Sequence, residues 1–228
     1  IGCGTGQPTR DLAKYYKSAK IVYADIAVSM LEKARPKWRR WFSNNYFVCT
    51  DLEKLAFKND RFDMVFSNLV LEWCSNTSSA LSEAARVLKT GGLFLFATLG
   101  PNTLKELRAV FARATATQHI NVFLDMHDIG DLLAQNGFES PVMETEIVTV
   151  EFESVRDLLG DLKLTGSTNT LKHRRRGLLG RDVYAHLLAL DEESKSKGTR
   201  VKTTFEVVFG HAWASSARTT GEFPLLRR

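Results

Sequence analysis

The sequence predicts an α/β protein with one doubly wound, mostly parallel sheet of seven strands and helices on both faces. First, the glycine-rich turn at residues 1–6 (IGCGTG) is of the kind that joins a strand to a helix beside a ligand. Second, apolar runs of strand length alternate with segments of helical period. Third, the 228 residues are 44% hydrophobic, which is enough to bury a core without disulfides.

The first elements indicate a nucleoside-binding unit. Pro8 suits the first turn of the helix that follows the glycines. Residues 20–24 (KIVYA) read as a buried strand, so Asp25 stands at its carboxyl end, where an acid can accept both ribose hydroxyls. We expect the neighbouring Ile26 to contact the same cofactor. A nicotinamide or flavin fingerprint would carry glycine where this chain has Gln7, which disfavours those cofactors.

Two further strands end in polar groups. Residues 46–50 are followed by Asp51 and Leu52, and residues 62–68 end in Asn68. Parallel strands present their carboxyl ends to one crevice, so we expect these groups beside Asp25. Asp51 can accept from an adenine amino group while the Leu52 amide donates to the ring.

The alternation then continues along the chain. We predict helices at 78–89, 103–114 and 126–136 and strands at 93–97, 142–152 and 203–209. The charged helical stretch at 153–200 is interpreted as a cap inserted before the last strand of a single domain, 1–228. The tail, 214–228, has little periodicity, which is typical of disorder. Since the chain lacks an initiator Met and opens at the end of the expected first strand, we expect that strand to be truncated.

Charge and cysteines limit the partners. The net charge of +5 is concentrated in the predicted cap, where Lys172, Arg174, Arg175 and Arg176 form the densest basic cluster. This cluster can steer an acidic protein or nucleic acid, or it can be a solvated face. The three cysteines are widely spaced and indicate neither a disulfide framework nor a metal site. No signal peptide or membrane-spanning run is visible, so we expect a cytoplasmic protein.

Several segments resemble known proteins. The G-x-G-x-G spacing resembles motif I of class I methyltransferases, which have a Rossmann-like sheet and bind S-adenosylmethionine. Residues 67–74 (SNLVLEWC), 97–108 (ATLGPNTLKELR), 177–181 (GLLGR) and 205–213 (FEVVFGHAW) resemble the malonyl-[acyl-carrier protein] O-methyltransferase family of bacterial biotin synthesis. The resemblance implies methyl transfer to the free carboxylate of a malonyl thioester on acyl carrier protein or coenzyme A, with S-adenosylhomocysteine as the second product.

The resemblance also assigns roles to residues. The cofactor-binding positions are Gly2, Gly4, Gly6, Asp25, Asp51, Leu52 and Asn68, with Asn68 beside the transferable methyl group. Trp73 is a candidate for a wall of the substrate pocket, or it is a core residue. Arg108 is a candidate for orienting the substrate carboxylate, or it is a surface residue of its helix. Glu72 departs from the Gln expected there and adds negative charge near a site for a carboxylate.

No general base is expected, because a carboxylate with a pKa of about 4 is already ionised at neutral pH. The rate is therefore predicted to be nearly flat from about pH 6 to 8. Three alternatives stay open: a methyltransferase of a small free acid such as aconitate, an RNA methyltransferase, and a regulator that binds S-adenosylmethionine without catalysis. The first needs no basic cap, and the second lacks an aromatic-basic RNA-binding module.

Overall fold

The computed structural model describes residues 1–35, 45–114, 120–164, 181–196 and 198–216. The helices are α1 (Gln7–Tyr15), α2 (Val28–Ala34), α3 (Thr77–Val87), α4 (Lys105–Ala114), α5 (Met126–Gln135), α6 (Val155–Leu164) and α7 (Arg181–Ser196). The strands are β1 (Ile21–Asp25), β2 (Asn45–Cys49), β3 (Phe62–Asn68), β4 (Leu88–Leu99), β5 (Phe138–Phe152) and β6 (Val201–Ala214). A turn of 3-10 helix, Leu71–Trp73, follows β3.

The strands form two sheets. Parallel β1 and β2 make a two-stranded sheet, and the second sheet has the order β3-β4-β6-β5, with β3 and β4 parallel. Residues 1–3 link the sheets, because the Ile1 amine donates to the Phe66 carbonyl at 2.6 Å and the Cys3 amide donates to the Ala24 carbonyl at 3.0 Å. The α/β class is as expected. In the described ranges, however, six strands are present, in two sheets where the sequence predicted one sheet of seven.

The chain divides into two compact units. The first contains residues 1–98, 127–144 and the chain from 209 onward, and the second contains residues 99–126 and 145–208. In the first unit, Phe94 is fully buried and stacks on both Phe96 and Phe138, with ring centroids 5.1 and 5.3 Å apart. In the second, Leu107, Leu158 and Leu187 pack in one cluster formed by α4, α6 and α7. Each unit therefore has a core of its own.

Local signals explain most element ends. The Asn76 side chain caps α3 by accepting from the Ser79 amide at 3.1 Å. Gly137, with φ of 85°, follows α5. The predicted helix end at 89 is wrong: α3 ends at Val87, and Leu88 begins β4 opposite Phe62. The fully buried Leu88 therefore belongs to the core of the sheet, where the sequence predicted the last turn of the helix.

The predicted cap range, 153–200, contains α6 and α7, and residues 165–180 lie outside the described part. Strand β6 runs to the fully buried Ala214, where we expected the tail to begin, and the Ser215 amide donates to the Gly137 carbonyl at 2.9 Å. Residues 217–228 are outside the described ranges. Among the described helices, none has the length and apolar character to span a bilayer.

Candidate functional site at the strand ends of the first unit

The glycine turn uses its three glycines for different purposes. All three have positive φ, at 60° for Gly2, 50° for Gly4 and 78° for Gly6. A Cβ on Gly2 would lie 2.2 Å from Val70 Cγ2, so the turn packs against the loop after β3. A Cβ on Gly4 would meet no atom within 4 Å. The backbone at Gly4 therefore borders open space that a ligand can enter.

Asp25 connects this turn to the end of β1. Its side chain is buried, with a relative exposure of 9% for the residue. The Gly4 amide donates to Oδ2 at 2.7 Å, and the Ala27 amide donates to Oδ1 at 2.9 Å. Each oxygen thus has one backbone donor and keeps capacity for a second. The next residue, Ile26, is 68% exposed and offers an apolar surface beside the acid.

The end of β2 lies next to Asp25. The Thr50 amide donates to the Asp25 carbonyl at 3.0 Å. Asp51 and Leu52 follow Thr50 directly in the chain and so lie beyond this strand end. Asp51 is exposed and accepts the Glu53 amide on Oδ1 at 2.9 Å, while Leu52 is buried. This turn holds the Asp51 carboxylate in a fixed position at the surface.

The end of β3 is joined to the same region. Asn68 lies opposite Ala97 of β4, and the Leu69 amide donates to the Ala97 carbonyl at 2.8 Å. Leu69 has a backbone φ of 54°, which is unusual for a residue with a large side chain. The turn at Leu69 brings the Val70 side chain against Gly2. Asn68 therefore ends its strand next to the glycine turn. Trp73, on the 3-10 turn, is 40% exposed.

The sequence identifies Glu72 as a negative charge near the proposed site, but it does not predict the environment of the side chain. Its Oε2 accepts the Thr98 hydroxyl at 3.1 Å, and Thr98 is the residue after Ala97 on β4. Burial raises the pKa of the Glu72 carboxyl from 4.5 to about 7, against the opposing effects of a backbone hydrogen bond and of Thr98. Cys74, close by, has its thiol pKa raised to about 12 by burial first and then by Glu53, Asp51 and Glu72. No pattern in the sequence distinguishes this half-buried acid from a surface one.

Arg108 belongs to the second unit, on α4. Its Nη2 donates to the carbonyls of Thr103 at 3.2 Å and Asn121 at 3.5 Å. Its Nε is buried and has no acceptor among the described residues. The guanidinium is therefore held by backbone carbonyls and keeps a donor available. The basic residues of the predicted cap, Lys172, Arg174, Arg175 and Arg176, lie outside the described part of the chain.

The second unit also contains an acid clamp that the sequence did not reveal, formed by Glu106 and Glu206. Glu206 Oε2 accepts the Asn102 amide at 2.7 Å, and its backbone amide and carbonyl both bond the buried Thr103 hydroxyl at 3.1 Å. Glu106 in turn accepts the Thr204 amide at 3.0 Å and its hydroxyl at 2.5 Å. The clamp fixes the chain between β4 and α4 onto β6.

In the part of the chain that the structure describes, no group of three or more His, Cys, Asp or Glu side chains could hold a metal ion. His211 packs edge-on against Trp213, with ring centroids 4.9 Å apart, as expected for a structural histidine.

Sequence identity to known proteins shows the family of this chain. The chain is 43% identical over 222 residues to the malonyl-[acyl-carrier protein] O-methyltransferase of Gallionella capsiferriformans, covering 95% of this chain and 76% of that protein. It is 41% identical to the enzyme of the same name from Laribacter hongkongensis, with 95% and 75% covered. The chain belongs to the malonyl-[acyl-carrier protein] O-methyltransferase family. A family model described as a methyltransferase domain matches residues 1–96, which hold the glycine turn, Asp25, Asp51 and Asn68.

Solved structures support the methyltransferase fold of this family member. The YcgJ protein of Bacillus subtilis superposes with a TM-score of 0.65 at 15% identity, covering 94% of this chain and 90% of that one. The phosphoethanolamine N-methyltransferase 2 of Haemonchus contortus, solved with S-adenosyl-L-methionine, gives a TM-score of 0.54 at 17% identity, with 94% and 47% covered. At these identities the likeness concerns the fold.

Proposed function

We propose that this protein transfers the methyl group of S-adenosylmethionine to the free carboxylate of a malonyl thioester carried by acyl carrier protein. The products are the malonyl methyl ester and S-adenosylhomocysteine. The observation that carries the proposal is the 43% identity to a malonyl-[acyl-carrier protein] O-methyltransferase over 95% of the chain. The carboxyl ends of β1, β2 and β3 supply the polar groups that such a cofactor needs.

The residues at the strand ends fit S-adenosylmethionine. Helix α1 has Gly6 as its N-cap, with no side-chain cap and no acid in its first turn, so the free amides of that turn suit a carboxylate. Asp25, already fixed by two backbone amides, would accept the ribose hydroxyls, with Ile26 beside it. Asp51 would accept the adenine amino group and the Leu52 amide would donate to the ring. The open space at Gly4 leaves room for the cofactor to approach the backbone closely.

The cofactor supplies an activated methyl group: the carboxylate oxygen forms a bond to the methyl carbon while the carbon–sulfur bond breaks, and no proton moves. The protein must therefore align the reacting atoms and exclude water from the oxygen. In our proposal Asn68 borders the methyl group, Trp73 forms a wall of the pocket, and Arg108 orients the carboxylate or its carrier arm. A carboxylate gripped tightly by a cation would be stabilised before its charge is lost, which slows the transfer.

The basic cluster at 172–176 is the proposed docking surface for the acidic carrier protein, and we place the reaction in the cytoplasm. The identity to the relatives disfavours a small free acid and RNA as the methyl acceptor. Neither an aconitate-type acid nor RNA explains the match to malonyl-[acyl-carrier protein] O-methyltransferases through 95% of the chain.

The test is to incubate methyl-labelled S-adenosylmethionine with the protein and, in separate reactions, malonyl-carrier protein, malonyl-CoA, aconitate and bulk RNA. We expect label on malonyl-carrier protein and, less efficiently, on malonyl-CoA, as an ester that mild base removes. Label confined to aconitate or RNA would overturn the proposal. Cofactor binding without label on any acceptor would favour the non-catalytic regulator.

A further inference from the structure

Glu72 places a carboxyl group over the ends of two neighbouring strands. It follows β3 by four residues, on the 3-10 turn, and its Oε2 accepts from Thr98 near the end of β4. These ends belong to the edge of the sheet where Asn68 lies and where Val70 contacts Gly2. The Thr98 hydroxyl bonds one oxygen of the carboxyl group, Oε2, and no other side chain of the described residues is bonded to this carboxyl group.

The titratable groups around Glu72 do not neutralise it. Those that share this part of the first unit are Asp51, Glu53 and Cys74, two acids and a thiol with a pKa near 12. Among the described residues, no Lys or Arg forms an ion pair with Glu72. Burial raises the pKa of Glu72 to about 7, whereas a backbone hydrogen bond and the Thr98 hydroxyl lower it, and no cation of the described residues contributes. Near neutral pH, Glu72 therefore holds a proton for much of the time.

We propose that Glu72 binds the carboxylate of the methyl acceptor as a proton-bearing hydrogen-bond donor, with Thr98 fixing its other oxygen. This inference rests on the proposed function, because it needs an acceptor that carries a carboxylate. The proton removes the apparent conflict between an acidic residue and an acidic substrate. A protonated acid has the shape and donor capacity of a glutamine amide.

A neutral donor also suits the course of the reaction. The acceptor carboxylate is negative before the transfer and becomes an ester that is neutral. A cationic partner loses its full attraction during this change, whereas a neutral donor can still give a hydrogen bond to the ester carbonyl. Glu72 can therefore hold the acceptor through the whole transfer without stabilising the starting state as strongly as an ion pair does.

If Glu72 acts as a protonated donor, the rate of methyl transfer depends on pH, unlike the nearly flat profile expected when only the ionised carboxylate nucleophile is considered. Once Glu72 ionises, it repels the acceptor and loses its donor. At saturating S-adenosylmethionine, kcat/KM for the acceptor follows groups of the enzyme–cofactor complex, so it should fall at alkaline pH, by about tenfold per pH unit once Glu72 is mostly ionised. The experiment measures kcat/KM for malonyl-carrier protein between pH 6 and 9 at saturating S-adenosylmethionine, with wild type and Glu72→Gln.

We expect Glu72→Gln, whose amide donates at every pH, to remove the fall and to exceed wild type at pH 9 by at least about tenfold. The matched control is Asp63→Asn, which neutralises an exposed acid of β3 that pairs with Lys89 at 2.7 Å. It should keep the wild-type profile. If Glu72→Gln and wild type fall together, the Glu72 proposal is overturned while the proposed function stands. If wild type methylates no malonyl thioester at any pH, both fail.

A second measurement needs no variant. Calorimetric titration of malonyl-carrier protein into the wild-type protein with S-adenosylhomocysteine, at pH 8 in buffers of different ionisation enthalpy, counts the protons taken up. We expect uptake approaching about one proton per complex, since Glu72 is mostly ionised when free and protonated when bound. Uptake of no proton at pH 8 would overturn the proposal. The Asp63→Asn control should take up the same number as wild type.

Discussion

Asp25 in the first unit and Glu206 in the second are both buried acids that accept backbone amides of a glycine-containing turn. Asp25 holds the turn at Gly4, where the space beside the glycine is open. Glu206 holds the turn at Gly100, where a Cβ would lie 2.6 Å from the acid itself. The first arrangement leaves hydrogen-bonding capacity beside a free volume, and the second fills its own space. The same residue type therefore borders open space, where we propose the cofactor binds, in one unit and closes a packing contact in the other.

This difference changes how the segment TLGPNTLKELR is interpreted. It resembles the family more specifically than the glycine turn does, and its Arg108 is a candidate for orienting the carboxylate or a surface residue of its helix. In the structure, Gly100, Asn102, Thr103 and Glu106 from this segment are used in the clamp to β6. Much of its distinctive sequence thus serves the fold of the second unit. Arg108 is the residue of this segment for which we propose a role toward the substrate, and its buried Nε has no acceptor among the described residues.

The largest expected effect distinguishes two glycines of the cofactor turn. Gly2→Ala would place a methyl group 2.2 Å from Val70 Cγ2 at positive φ, so the free energy of unfolding should fall by about 3 kcal/mol or more. Gly4→Ala meets no atom within 4 Å and should cost about 1–2 kcal/mol, from the backbone conformation alone. Chemical denaturation of both variants checks this. Equal losses would mean that the contact with Val70 does not hold the turn.

The sequence predicted the parts of this region that depend on local chemistry. Glycine spacing and the acid after an apolar run located the turn and Asp25, and the strand at 62–68 has the predicted bounds. The end of α3 was missed because the competing partner of Leu88 is Phe62 on another strand. The Glu206 clamp was missed because it joins residues 104 positions apart. The partial burial of Glu72 was missed because it depends on how the 3-10 turn folds against β4. Such contacts have no local signature.

The next effect compares the two acids directly. Asp25→Ala should weaken S-adenosylmethionine binding by about 1.5–3 kcal/mol, since it leaves the ribose hydroxyls without their acceptor. Glu206→Ala should leave that affinity within about twofold, but lower the free energy of unfolding by about 1–3 kcal/mol, because the Asn102 amide loses its partner. Titration calorimetry and denaturation measure the two quantities. If the Glu206 variant loses as much cofactor affinity as the Asp25 variant, the division between a binding acid and a packing acid is wrong.

The smallest effect concerns a function that neither acid should influence, the encounter with the carrier protein. Reversing Arg174, Arg175 and Arg176 to Glu removes attraction that salt screens over about 8–10 Å. We expect kcat/KM for malonyl-carrier protein to fall about three- to tenfold at low salt and to lose most of its salt dependence, because steering acts on the association rate. Malonyl-CoA turnover should fall much less, since this substrate presents no acidic protein surface, and S-adenosylmethionine affinity should be unchanged.

If the activity on both substrates falls equally, the basic residues contribute to the pocket or the fold. If neither loses activity, the cluster is a solvated face, and the carrier protein docks on another surface.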